Sequence, residues 1–350
     1  MRHIITTLTA LTLLSAASTA QTAIPGAPGS GRATFQRNFQ EMIDASTTRY
    51  EVPAGGLALS PTRELEIHTI ILSNTDTNLQ PDSTAPNGQR FYYDSTDVSA
   101  MLHFDTNNST VVFDSGMSRL AVPGDTPNLP SESAAPALAM GMIQLLTFDP
   151  VNAAEMTVEH VGGMGLGMTN ADGSTSNYDK LRTVRFGRRL GGMRVEGPGS
   201  RMIVHLGEDG ELQGASRRWH EFDALPIAAA EKNTPEDLAR LLNRRMRQSG
   251  SAQMASEIEP QSATLVLYDD GEGYAEPVIR FEFELTIETN YRDATGALIP
   301  KTIKNPLDFY IPILRQPNAS MPFVKDMIAS TQGSPSDPSD PPAADGGDDE

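Results

Sequence analysis

The 350-residue chain contains no cysteine. That excludes disulfide cross-links, a cysteine nucleophile and a lipid anchor on cysteine, so the fold must rest on burial alone. Basic charge is also scarce: 27 Lys and Arg stand against 45 Asp and Glu, a net charge of −18. Nucleic-acid binding is disfavoured, because phosphate attraction needs a basic face. Long apolar runs are missing after the first twenty residues, so no membrane span is expected. Ile4 to Ala17 is apolar apart from Thr and Ser, and too short for a bilayer, which takes about 20 residues. Arg2 precedes that run and Ser18-Thr19-Ala20 follows it. Residues 1–20 therefore read as a signal peptide cut after Ala20, and the mature protein as extracytoplasmic, secreted or periplasmic.

The motifs of common chemistries are absent too. His3, His68, His103, His160, His205 and His220 include no pair at the helical spacing of a zinc hydrolase. No Gly-x-Ser-x-Gly elbow and no Gly-Lys-Ser/Thr phosphate loop occurs. Gly162-Gly163-Met164-Gly165-Leu166-Gly167 runs into turn residues rather than a helix, so it reads as a flexible loop or bulged edge and not as a dinucleotide fingerprint. Asn74, Asp76 and Asn78 have calcium-loop spacing, but Leu79 and Ala85 stand where Gly and Glu are required. No metal and no cofactor is expected, and no catalytic residue is assigned. A hydrolase site assembled in space from His and acids stays open.

What is present reads as a mature chain of two units. Residues 21–31 are Pro- and Gly-rich and expected to be loose, and 333–350 carry six acids and no base. That tail cannot bury enough apolar area to order itself; it reads as a spacer or as a cation-binding segment. Between the ends, Phe35, Phe39, Met42 and Ile43 share one face of a helix over Ala33–Ala45. Leu65, Ile67, Thr69 and Ile71 alternate, which predicts a strand over Leu65–Leu72, and Asn74–Gln89 reads as a long loop. Met101–Phe104 and Thr110–Phe113 predict a hairpin. Ser131 is placed to cap a helix with Ala135, Leu138, Ala139, Met142, Leu145 and Leu146 on one face.

A strand meander is expected from Met156 to Phe222, with a bulge or bend at Gly191-Gly192 and a tight turn at Asp209-Gly210. Thr234, Pro235, Glu236 and Asp237 mark the start of a second helix, ended by Gly250. Strands over Ala263–Tyr268, Pro277–Ile287 and Leu307–Leu314 follow. The order helix-then-strands thus occurs twice, and the strands alternate polar with apolar. The fold class is α+β, not a doubly wound parallel sheet.

The phrase from Val184 through Gly191-Gly192 and Val195-Glu196-Gly197 to Arg201, the strand Met202–Leu206, the turn Glu208-Asp209-Gly210 and the run Gly214–Trp219 resemble the PepSY and fungalysin/thermolysin-propeptide group. Glu276-Pro277-Val278 and Tyr310-Ile311-Pro312 are more weakly similar to the accessory half of such secreted proteins. The resemblance implies two cystatin-like units, each a helix packed on an antiparallel β-sheet. One spans 131–225 and the other 234–328, with 32–130 adding a helix and strands to the first sheet. It also implies a habit of restraining a protease, although no zinc protease domain follows the module within this chain.

Lys180 to His220 carries nine basic and four acidic residues. Arg188, Arg189, Arg217 and Arg218, with the only tryptophan, Trp219, form the one candidate binding constellation. They either recognise an acidic partner or solvate the sheet while Trp219 fills the core. The expected function is non-enzymatic binding of an exported protein or peptide, such as a secreted protease. An envelope structural or adhesion role is the alternative.

Overall fold

Two glycines turn the chain at the centre of the protein. Gly191 and Gly192 have φ of +55° and +84°, a left-handed pair that β-carbons disfavour. The chain therefore reverses between Leu190 and Met193, and the two flanking strands pair antiparallel. The expected bend is a full hairpin.

A computed structural model describes residues 31–54, 59–82, 88–120, 126–169, 174–292 and 298–321. The signal peptide, nearly all of 21–31, Asp172-Gly173 and the acidic tail lie outside the described residues. In chain order the elements begin with α1 (Gly31–Ala45), β1 (Thr48–Glu51), α2 (Pro61–Asn74), β2 (Leu79–Pro81), β3 (Gln89–Asp94), β4 (Ala100–Asp105) and β5 (Thr110–Ser115). The middle of the chain forms α3 (Ala135–Leu145), β6 (Met156–Thr169), β7 (Thr175–Leu190), β8 (Met193–Glu196), β9 (Arg201–Leu206), β10 (Leu212–Arg218) and β11 (Asp223–Pro226). Then come α4 (Pro235–Gln248), α5 (Gly250–Met254), β12 (Glu257–Asp269), β13 (Tyr274–Arg292) and β14 (Leu298–Pro312). The class is α+β, as the alternating strand pattern predicts.

All these strands join one 14-stranded sheet in the order β11-β1-β13-β12-β8-β7-β9-β10-β5-β4-β3-β2, with β14 added to β13 and β6 to β7. Strand β8 meets β12 in parallel, Val195 opposite Leu267 and Glu196 opposite Tyr268, and this joint divides the sheet into two halves. Each half has its own core. The first packs Ile67 and Ile71 of α2 and Ala139 and Ile143 of α3 against Phe104, Phe113, Phe186, Val204 and Trp219. The second packs Phe39 and Ile43 of α1 and Leu238 and Leu242 of α4 against Ile279, Phe281, Phe309 and Ile311. The N-terminal helix thus covers the second half of the sheet rather than joining the first.

The expected strand over Leu65–Leu72 is a helix. Ser60 Oγ accepts from Arg63 N at 3.3 Å, and Pro61 occupies the first turn. Ile67 and Ile71, four apart, are buried, whereas Leu65 is 66% exposed. The Asn74–Gln89 segment, read as a loop, contains β2. In α3 the buried face is Ala135, Ala139 and Ile143, and Leu138 and Leu145 face outward. Helix α4 starts as expected: Thr234 Oγ1 accepts from Asp237 N at 3.2 Å, and the Asp237 carboxylate accepts from Thr234 N at 3.1 Å. Its expected end at Gly250 is instead the start of α5, capped by Ser249.

Candidate functional site

The five constellation residues do not share an exposed face. Arg188 ends β7 and Arg217 and Arg218 end β10, with β9 between those strands. Arg188 and Trp219 are each 1% exposed. The Arg188 guanidinium donates to Glu155 Oε2 from Nε at 2.8 Å and from Nη2 at 2.6 Å, and from Nη1 to the carbonyl of His220. It also lies against the rings of Trp219 and Phe222, 4.7 and 4.9 Å from their centroids. Arg218 Nε donates to Thr110 Oγ1 at 3.1 Å. Only Arg189 is well exposed, with Nη1 donating to Gly192 O at 3.3 Å.

Arg217 faces a cavity of about 120 Å³, which Arg63, Ile67, Phe148, Trp219 and Glu221 also line. Its Nε donates to Phe148 O at 3.2 Å and its Nη1 to Ser109 O at 3.4 Å. Burial, with Arg63 nearby as the next cause, pushes the Arg217 guanidinium down to about 10, which leaves it charged at neutral pH. Arg63 donates to the carbonyl of Thr147 and pairs with Glu66 at 3.0 Å. The indole Nε1 of Trp219 is buried without a hydrogen-bond partner, which costs roughly 1–3 kcal/mol. The sequence reading missed Arg63 because it treated Leu65–Leu72 as a strand. The Ser60-Pro61 start of α2 was the available signal.

A second polar cluster lies at the joint between the halves. Asp269, fully buried, accepts from Ser200 Oγ at 2.5 Å and from Gly271 N at 2.9 Å, and burial pushes its carboxyl up to about 6. Asp270 accepts from Ser320 N at 2.8 Å, and Glu276 accepts from Asn318 N at 3.1 Å and Ala319 N at 3.0 Å. Asp270 and Glu276 thus satisfy backbone donors of the incoming segment 318–320. The described histidines are dispersed. His68 packs on Tyr92 and His103 on Phe91, and His205 Nδ1 meets Thr183 Oγ1 at 2.9 Å. His220 is buried with both ring nitrogens unpartnered. Among the described residues no three His, Asp or Glu side chains converge as a metal site.

The sheet also has edges, and they differ. Strand β6 is 14 residues long and pairs only with β7. It contains no Lys, Arg or Pro, and four glycines, Gly162, Gly163, Gly165 and Gly167. Val158 and Met164 are 47% and 38% exposed. Its register shifts between Val158 and His160 and again between Met164 and Gly165, so the expected bulged edge is observed. The first bulge aims Glu159 at Arg185 and Arg194, at 3.1 and 3.2 Å. Three other edge strands carry guards against pairing. Strand β14 has Pro300, Lys301, Lys304 and Pro306, and β2 and β11 are three and four residues long, each ending in Pro.

No known family's sequence model matches the chain, and no curated protein matches it. Among solved structures, an uncharacterized protein from Eubacterium rectale is 11% identical, with a TM-score of 0.42, covering 78% of this chain and 86% of that one. The C-terminal domain of YpeB from Bacillus megaterium is 12% identical, with a TM-score of 0.32, covering 71% of this chain and all of that one.

Proposed function

We propose that this chain is an exported, non-enzymatic binding protein that captures an extended polypeptide segment along the outer edge of β6. The observation that carries the reading is the contrast between edges: β6 is long and free of Pro and Lys, whereas β2, β11 and β14 are short or guarded. A strand added there would gain main-chain hydrogen bonds along the ladder, while Val158 and Met164 would offer it apolar contacts. The glycines of β6 would let a partner backbone approach without side-chain obstruction. The bulges divide the edge into short stretches, which favours a short segment over indiscriminate sheet-to-sheet association.

The reading extends to family and partner. Helix α3 on β6, β7 and β9, followed by the Asp209-Gly210 turn, is the helix-on-sheet unit that a PepSY-like, cystatin-like module would contain. A secreted protease is the partner class that this resemblance implies. The test is a capture experiment with the mature chain and with the V158K/M164K variant, using the exported proteins of the source organism. A captured protein should protect the amides of 156–169 from hydrogen exchange, and the lysine variant should lose it while unfolding at the same temperature. Equal capture by both proteins, with exchange in β6 unchanged, would refute the proposal.

A further inference from the structure

Ser109 and Thr147 have φ of 50° and 56°, and only one other described non-glycine residue, Asp209, has positive φ. Left-handed backbone in residues other than Gly is costly and collects at functional sites. Both residues line the same cavity. Each turns its carbonyl onto one of two arginines: Ser109 O accepts from Arg217 and Thr147 O from Arg63. Thr147 ends α3 in a left-handed cap, with Phe148 N donating to Ile143 O at 2.8 Å, and Ser109 lies in the turn between β4 and β5, so each of these turns presents a carbonyl to one arginine.

The nitrogens of Arg217 meet carbonyl oxygens, and among the described residues no carboxylate forms an ion pair with it. Glu221, which lines the cavity, and Asp149 act on Arg217 from beyond contact, and Glu221 Oε1 also accepts from Val151 N at 3.3 Å. Arg63 already has Glu66. The remaining wall is apolar, from Leu59, Ile67, Val111, Phe148 and Trp219. From these observations we infer that the cavity is a binding site for a short-chain monocarboxylate. The carboxylate lies against Arg217 and Arg63, and the alkyl end packs on Leu59, the least buried of the apolar lining residues.

Size narrows the ligand. A dry cavity of about 150 Å³ holds benzene, so a cavity of about 120 Å³ takes a molecule somewhat smaller, on the scale of acetate to butyrate. Guanidinium matches carboxylate and phosphate alike through its fork of donors, so the alkyl contact is what selects a monocarboxylate over a tetrahedral oxyanion. The inference does not depend on the β6 edge, which lies on another part of the sheet.

Trp219 is the only tryptophan, so its fluorescence reports on this cavity directly. The experiment titrates the mature chain with sodium acetate, propionate and butyrate at constant ionic strength, and in parallel with sulfate and phosphate. A saturable emission change with the carboxylates is expected, strengthening from acetate to butyrate, and absent with sulfate and phosphate. R217Q should abolish it. R63Q, which changes a residue at a more exposed position, should weaken it by roughly tenfold through the loss of one charged donor. If R217Q fails to fold by circular dichroism, R63Q decides: unchanged butyrate affinity in that variant overturns the site. A flat titration with every carboxylate overturns the proposal, as does tighter saturation by sulfate or phosphate.

Discussion

Arg188 lies over the indole of Trp219 at 4.7 Å and takes its charge partner, Glu155, from the short turn that precedes β6. The guanidinium is 1% exposed and the carboxylate 20%. Such a pair is weak evidence for net stability, yet removing one partner strands the other charge in a poor solvent. Glu155→Gln should therefore lower the unfolding free energy by about 2–3 kcal/mol. In an Arg188→Met background the same change should cost almost nothing. Urea unfolding of the four proteins measures the coupling, and additive effects would show that the two side chains do not act as a pair.

His220 and Asp269 should give the protein opposed acid responses. Burial, then the charges of Arg217, Arg218 and Arg188, pushes the His220 imidazole down to about 4 from an ordinary 6.5, with Asp270 opposing. The unfolded state then binds the proton first, so this group's stabilising contribution is present above pH 6.5 and is lost as pH falls toward 4. Burial pushes the Asp269 carboxyl up to about 6 from 3.8. There the folded state binds the proton first, so stability from this group rises as pH falls from about 6 to 3.8. Each change is worth on the order of 3 kcal/mol across its window. His220→Leu should become relatively more stable than wild type on acidification, and Asp269→Asn relatively less. Parallel pH curves for all three proteins would contradict both assignments.

Much of the second half of the sheet was legible because its signals are local. Thr234, Pro235 and Asp237 stand next to one another in the chain and make contact in the fold. Helix α2 was misread because Leu65, Ile67, Thr69 and Ile71 satisfy a period of two, while Ile67 and Ile71 equally satisfy a helical turn. Only packing against the first core decides between them. The cavity was less legible still. Arg63, Ser109, Thr147 and Arg217 come from four separated stretches, and positive φ at a Ser or Thr leaves no trace in composition. Arg188 lies against Trp219, but the burial of the pair follows from the position of Glu155 and His220, which spacing alone does not reveal.

The two helix caps offer a test of how independent the cores are. Ser60 caps α2 in the first core and Thr234 caps α4 in the second. Ser60→Ala and Thr234→Ala should each lower stability by about 1 kcal/mol. Distant sites without shared partners add within about 0.5 kcal/mol. The double variant, followed by denaturant unfolding, should therefore show the sum in a single transition. Two separated transitions would mean that the halves unfold apart despite the shared sheet.

The joint itself depends on Gly197. Its φ is +103°, and a β-carbon there would sit 2.2 Å from the main-chain oxygen of Asp269. Backbone atoms at that point cannot yield without moving β12, whose Leu267 and Tyr268 pair with β8 immediately before the glycine. Gly192 supplies the control, since its φ is +84° but a β-carbon there meets nothing within 4 Å. Gly192→Ala should cost only the left-handed penalty, about 1 kcal/mol. Gly197→Ala adds a steric clash to that strain and should cost about 3 kcal/mol or more. Equal losses in urea unfolding would mean that the β8–β12 contact is loose at this point and yields to the added carbon.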